Sequence, residues 1–245
     1  MQNAPSKLLM LVTTLILVAC GGGGGGGGST ATSSVVASTL TFDMQAAFGR
    51  MNRQGATFSL VANGTSGTSA TDGNCSGTYT FTATPAINPN VFEGNSVLSS
   101  TSTDATNLTN CTPATSSGSA THYYDFNYRD LGGSSAGSYN VLSNGFAFPT
   151  ASRVGDSGAI GTSRYYTDIT KAISTGRSDI SYAILADSAS SAIAAIESKR
   201  YDAAGAHTST TRQRYRIDSA GNLTLLAIDS QSLTGAQIRL VFRAQ

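Results

Sequence analysis

Tryptophan is absent from this 245-residue chain, histidine and glutamate each occur twice, and charged residues make up only 12%. The net charge is +1. A nucleic-acid-binding chain normally carries a strong basic excess, so this balance argues against such a partner. His122 and His207 stand far apart and no Cys-x-x-Cys is present, so no zinc-type site is expected, and no other cofactor motif appears. Glu93 and Glu197 are too distant in sequence to be read as the paired carboxylates of glycoside chemistry. The eight glycines at 21–28 follow no strand and lack the Lys-Ser/Thr of a phosphate loop. Past residue 20 no apolar run is long enough to span a bilayer.

What the chain has instead is Gly, Ser, Thr and Ala, with β-branched and aromatic residues in short alternating runs. That composition favours strands and tight turns over helices. The length suits one large β domain or two small ones, with room for a sizeable core.

The start is a separate unit. Lys7 precedes a twelve-residue apolar run, Leu8 to Ala19, then Cys20 and the polyglycine. A spanning helix needs about 20 residues, so the run is too short to cross. Leu17-Val18-Ala19-Cys20 resembles the lipobox of bacterial lipoproteins, and the leader with its glycine tether resembles outer-membrane lipoproteins. Segments such as Val154–Gly158 and Tyr215–Asn222 are similar to parts of polyglycine-linked lipoproteins of proteobacteria, a likeness that brings no activity with it. The resemblance implies removal of residues 1–19 and acyl chains on Cys20 that hold the protein to a membrane. Gly21, not Asp, follows the cysteine, which implies the outer membrane. Residues 20–35 then form a flexible tether, with a mean reach on the order of 20 Å.

Two cysteines remain, Cys75 and Cys111. In an exported protein an even pair in polar, loop-like sequence reads as a disulfide; the alternative is two buried free thiols. The bridge would close a loop of about 36 residues, contributing roughly 3–4 kcal/mol on the chain-entropy model.

Residues 36–245 are expected to form the β domain. Val36, Leu40, Met44, Ala47, Phe48 and Met51 recur at helical spacing, with Thr41 or Asp43 as cap and Gly55 as stop, so a short core-packing helix is expected over 42–53, with an earlier start as the alternative. Arg50 and Arg53 are too few for a membrane-surface helix. From Ala56 the pattern becomes period two. Asn63-Gly64 and Asp72-Gly73 read as hairpin turns, Ala120–Tyr128 as a strand, and Gly132–Gly137 as a loop and the best internal divider of the domain, near 131–137. Strands are expected over 138–143, 162–172, 179–187, 190–201, 208–217, 222–230 and 236–243. Asp202–Gly205 and Asp218–Asn222 read as two copies of one turn. Gln213, Tyr215 and Ile217 should share one face and Arg212, Arg214 and Arg216 the other. The basic face is blunted by Asp202, Asp218 and Asp229.

Gly155-Asp156-Ser157-Gly158 resembles the nucleophile motif of trypsin-like serine proteases, but the next residue is Ala159 where that family has Gly. His122 lies only 35 positions before Ser157, not in a preceding barrel. A polar turn entering the strand at Thr162 is the plainer reading.

The expected architecture is all-β, a mostly antiparallel meander forming a sandwich or open barrel with one short N-terminal helix. The expected function is a non-enzymatic, membrane-anchored binding or interaction module with an envelope protein or polymer as partner. Two alternatives are a carrier holding a hydrophobic ligand in a curved sheet, and a serine hydrolase using Ser157. Tyr79, Phe81, Tyr124, Phe126, Tyr128, Tyr182 and Tyr215 are the aromatics available to line a carrier's concavity.

Overall fold

The computed structural model describes residues 37–66, 74–110, 114–143, 146–234 and 238–244. Cys20 and Cys111 lie outside them, as does the Asp72-Gly73 turn. Helix α1 (Met44–Gln54) begins where Asp43 caps it, the carboxylate accepting from the Ala46 N–H at 2.8 Å. The chain then alternates strands and turns: β1 (Ala56–Ser66), β2 (Asn74–Ala83), β3 (Asn88–Phe92), β4 (Asn95–Thr109), β5 (Thr115–Tyr124), β6 (Asp130–Ser135), β7 (Ser138–Leu142), β8 (Ser157–Tyr166), β9 (Ser174–Ser188), β10 (Ser191–Tyr201), β11 (His207–Asp218), β12 (Leu223–Ser232) and β13 (Ile238–Ala244).

From β4 to β13 each strand pairs antiparallel with the next. The circle is then completed out of order: β13 pairs with β1, β1 with β2, and β2 with β4. The last seam runs from Ser76–Thr109 to Ala83–Ser102. The all-β antiparallel fold with one helix is therefore as the sequence indicates. It is neither a sandwich nor an open barrel, however: twelve strands close on themselves and β3 lies outside, paired only to β4. Among the described residues, closure gives each of the twelve wall strands a paired neighbour on both sides.

Several local expectations need correction. Asn63-Gly64 is not a turn but lies within β1, with Gly64 opposite Leu240. Gly132–Ser135 is wall, not linker: β6 is hydrogen-bonded to β5 and β7. Glycine is required at 132 because a Cβ would stand 2.1 Å from the Asn140 carbonyl oxygen and 2.8 Å from the Phe92 ring. The expected strand over 162–172 starts earlier and ends at Tyr166, because Asp168 accepts from the Thr170 N–H and turns the chain.

The strand expected to reach Tyr128 stops at Tyr124, for a reason that links three turns. In the Asp202 and Asp218 turns, the Asp side chain accepts from the N–H four residues on, at 2.8 and 2.9 Å. Gly205 and Gly221 supply the left-handed residue, at φ 86° and 77°. Asp125 makes the same bond to the Arg129 N–H at 2.9 Å, but Tyr128, at φ 59°, stands where the others have glycine. A side chain there costs roughly 1–2 kcal/mol.

Faces follow the period of two. Tyr215 and Ile217 point into the core, and Arg216 between them points out. The outer wall pairs its charges: Arg212 with Glu197 at 2.7 Å, Arg216 with Asp187 at 2.8 Å and Arg239 with Asp229 at 2.8 Å. Asp187 and Glu197, more than Asp202 or Asp218, neutralise this face. A second, smaller cluster sits on the outside. There the β3–β4 hairpin lays Phe92 against Tyr123 and Tyr139, with centroids 4.5 and 5.4 Å away.

Eight strands enclose about the volume their own side chains fill; twelve enclose more. Helix α1 takes up part of the surplus by lying across one mouth. It bonds to the segments that follow β2, β5, β7 and β11: Asn52 accepts from the Ala86 N–H through its carbonyl and donates to the Tyr128 carbonyl, Gln45 accepts from the Phe148 N–H, and Arg50 donates to the Ala220 carbonyl. The expected packing role of this helix is therefore correct: Met44, Ala47 and Phe48 are buried.

Candidate functional site: the barrel cavity

What α1 does not fill is a cavity of about 380 Å³ within the barrel. That is within the range of roughly 300–1,000 Å³ typical of small-molecule sites. Its wall has two chemistries. One side is apolar and aromatic: Phe58 and Phe81 stack across β1 and β2 with centroids 6.0 Å apart, Tyr79 meets Phe242 at 5.3 Å, and Phe48, Phe148, Leu225 and Ile228 complete it. The other side is polar, built from Ser100, Ser102 and Asp104 of β4, His122 of β5, Asp130 of β6, Asn140 of β7 and Ser163 of β8.

The polar side is partly self-satisfied. The Ser102 hydroxyl lies 2.9 Å from His122 Nε2, and Asn140 donates to Ser163 Oγ at 3.0 Å. Burial holds the His122 pKa below its ordinary value, so the ring is neutral at pH 7 and Nε2 can accept the Ser102 proton. Asp130 is different. Among the described residues its carboxyl receives one hydrogen bond, from the Gly132 N–H at 3.0 Å. Burial pushes its pKa up to about 7, against the pull of that N–H. Burial likewise raises Asp104. Tyr79 is raised by burial and then by Asp104, and Tyr124 by burial and then by Asp130, which places each carboxyl near a phenol of the wall.

Of the aromatics named from sequence, Tyr79, Phe81, Tyr124, Tyr128 and Tyr215 line the cavity. Tyr182 packs against the core instead, and Phe126 is 66% exposed on the Asp125 turn. Ser157 is an exposed first residue of β8, opposite Ala183. His122 faces Ser102, and His207 bonds Thr210 Oγ1 at 2.7 Å, so neither histidine serves Ser157. Ser102 with His122 is a nucleophile beside a base, but both residues sit mid-ladder, where backbone N–H groups are spent on neighbouring strands rather than on an oxyanion. Among the described residues no three His, Cys, Asp or Glu side chains come together as a metal site. Cys75 is the second residue of β2, one position before the seam pair Ser76–Thr109.

Asp104, Asp130 and the Ser102–His122 pair were not legible as a site from sequence. Ser100, Ser102 and Asp104 do share one face by period two, which was the available signal, but a polar face reads as solvated when the wall's curvature is unknown. No protein-family model, curated protein or solved structure matches this chain.

Proposed function

We propose that this is a membrane-anchored binding protein of the bacterial envelope whose barrel interior holds a small molecule with an apolar body. The cavity carries the reading: it is of ligand size and walled on one side by aromatics. A barrel filled only for stability would close such a space, since an unfilled apolar volume costs stability. The exposed charges along β10 to β13 suit a wall that faces water, because Arg or Lys on a lipid-facing barrel costs about 2–4 kcal/mol at the bilayer midplane.

The experiment is a fluorescence titration with N-phenyl-1-naphthylamine, a neutral apolar dye that brightens out of water. Saturable one-to-one binding is the expected result. A signal no larger than that of a cavity-free protein would overturn the carrier reading.

The anchor belongs to the same proposal. The chain enters the fold beside the capped mouth, where Phe42 and Ser152 exchange backbone bonds of 2.8 and 2.9 Å. The acyl chains on Cys20 would therefore tether the α1 end to the outer membrane. The Cys75–Cys111 bridge gains support from the register: β2 and β4 are bonded neighbours, and the two cysteines lie one residue before and two residues after the Ser76–Thr109 pair. The bridge would fasten the seam that closes the barrel. Mass spectrometry of protein extracted from its native envelope and digested without reductant is expected to show both an acylated Cys20 peptide and a Cys75–Cys111 cross-linked peptide. An unmodified Cys20 would refute the anchor, and free thiols would refute the bridge.

A further inference from the structure

We infer that the bound molecule is a cationic amphiphile, its apolar body against the Phe58–Phe81 wall and its ammonium-type head between Asp130, Tyr124 and Tyr128. The inference rests on the cavity-binding reading and adds the chemistry of the head group.

Three observations carry it. First, the cavity's charge is one-sided. Its lining contains Asp104 and Asp130 but, among the described residues, no Lys or Arg. A carboxyl enclosed without a countercharge is unfavourable to bury, and a ligand cation would offset that cost. Second, the Asp130 carboxyl takes one hydrogen bond and otherwise faces the cavity, so acceptor capacity is left for an incoming N–H donor. Third, Tyr128 holds its ring in the cavity wall from a left-handed backbone position that the two sister turns give to glycine. Strain of this kind persists where the side chain serves something its backbone does not. The Tyr128 ring already has one cation over it, the Arg53 guanidinium 5.3 Å from the centroid, so it is a ring that attracts positive charge.

The charged groups around Asp130 are consistent with this. His122 and Tyr124 of β5 are neutral near pH 7. Arg53 of α1 lies 5.3 Å from the Tyr128 ring centroid, but its side chain and that of Arg129 are exposed and screened by water. Asp104 sits opposite Gly118, six positions along β5 from Tyr124, at a separate part of the wall. Among the described residues no Lys or Arg lines the cavity to seat an anionic head group. The buried guanidinium of Arg200 lies over the Tyr165 ring, 3.5 Å from its centroid, and is not among the groups lining the cavity.

The test displaces N-phenyl-1-naphthylamine with three molecules of equal chain length, decylamine, decanol and decanoate, below their micellar concentrations at pH 8. Decylamine is expected to displace the dye at about tenfold lower concentration than decanol, with decanoate weakest. Asp130→Asn is expected to bring decylamine to the level of decanol, each measured against the variant's own dye affinity. In the wild type, decylamine affinity is expected to rise severalfold from pH 6 to pH 8 as Asp130 loses its proton, with decanol unchanged; this arm stands even if the variant does not fold. Decanoate binding as tightly as decylamine, or a decylamine preference that survives Asp130→Asn, would overturn the inference while leaving the binding reading intact. Failure of the dye itself to bind would remove both.

Discussion

Phe48→Ala is expected to cost roughly 3–5 kcal/mol of stability, the range for removing a buried aromatic side chain from a core. Phe48 is only 7% exposed and is the residue through which α1 grips the barrel. Its ring stacks on Phe148 with centroids 4.1 Å apart and planes 6° from parallel, and meets Tyr215 edge-on at 5.2 Å and 80°. Such aromatic pairs add about 0.5–1.5 kcal/mol each beyond the area they bury. Phe148 belongs to the segment between β7 and β8, so truncation would free two pieces of the plug together. Urea denaturation is the measurement, with dye binding alongside. A lower midpoint with weakened dye binding is expected. Phe48→Leu, which keeps most of the volume, should lose under about 1.5 kcal/mol. A loss below about 1 kcal/mol for Phe48→Ala would show that the helix does not seal the mouth.

Asp130→Asn is expected to act in the opposite direction, stabilising the protein at neutral and alkaline pH. The fold raises the Asp130 pKa from 3.8 to about 7, so the native state holds this proton more tightly than the unfolded chain does. The burial penalty is therefore absent below about pH 4, grows as pH rises, and is complete above about pH 7. Three units at 1.36 kcal/mol each set an upper bound of roughly 4 kcal/mol; relaxation and water entry into the cavity bring the expected gain to about 1–3 kcal/mol. Asn keeps an oxygen for the Gly132 N–H. Glu93, Asp168, Asp187 and Asp218 have lowered pKa values, and the stability they contribute is lost as pH falls. Variant and wild type must therefore be compared at each pH. A difference near zero at pH 4 that grows to pH 8 is expected. A difference that does not change with pH would show that Asp130 ionises freely in the native state.

These two substitutions separate what holds the barrel from what burdens it. Phe48 fills the space that twelve strands leave. Asp130 places an acid with one hydrogen-bond donor, and no Lys or Arg in the lining, in the space that remains. Burying such an acid costs stability, so it is the burden that the binding proposal would explain.

Much of the wall was legible before the structure. The expected spans of β9 to β13 lie close to those observed, because alternation with Gly turns is a local signal. The same period correctly put Arg212, Arg214 and Arg216 opposite Tyr215 and Ile217. The Asp202 and Asp218 turns were recognised as copies because Gly marks the left-handed position. The third copy was missed because Tyr128 occupies it. β6 was missed because Gly132 and Gly133 read as loop, although Gly132 is glycine so that the Asn140 backbone can approach it.

The sequence by itself determined the class of the fold, the strand faces of the second half, the cap and stop of α1, and the expectation of a lipid anchor at Cys20. Each of these depends on residues a few positions apart. Only the tertiary structure decided that the sheet closes, since the seam joins Ala83 to Ser102 and Ser76 to Thr109 across an inserted hairpin, a choice no local pattern encodes. Closure then made the polar face of β4 and the start of β6 into an interior. Inside and outside of a curved sheet share the same period of two, and curvature alone says which polar face is hidden from water.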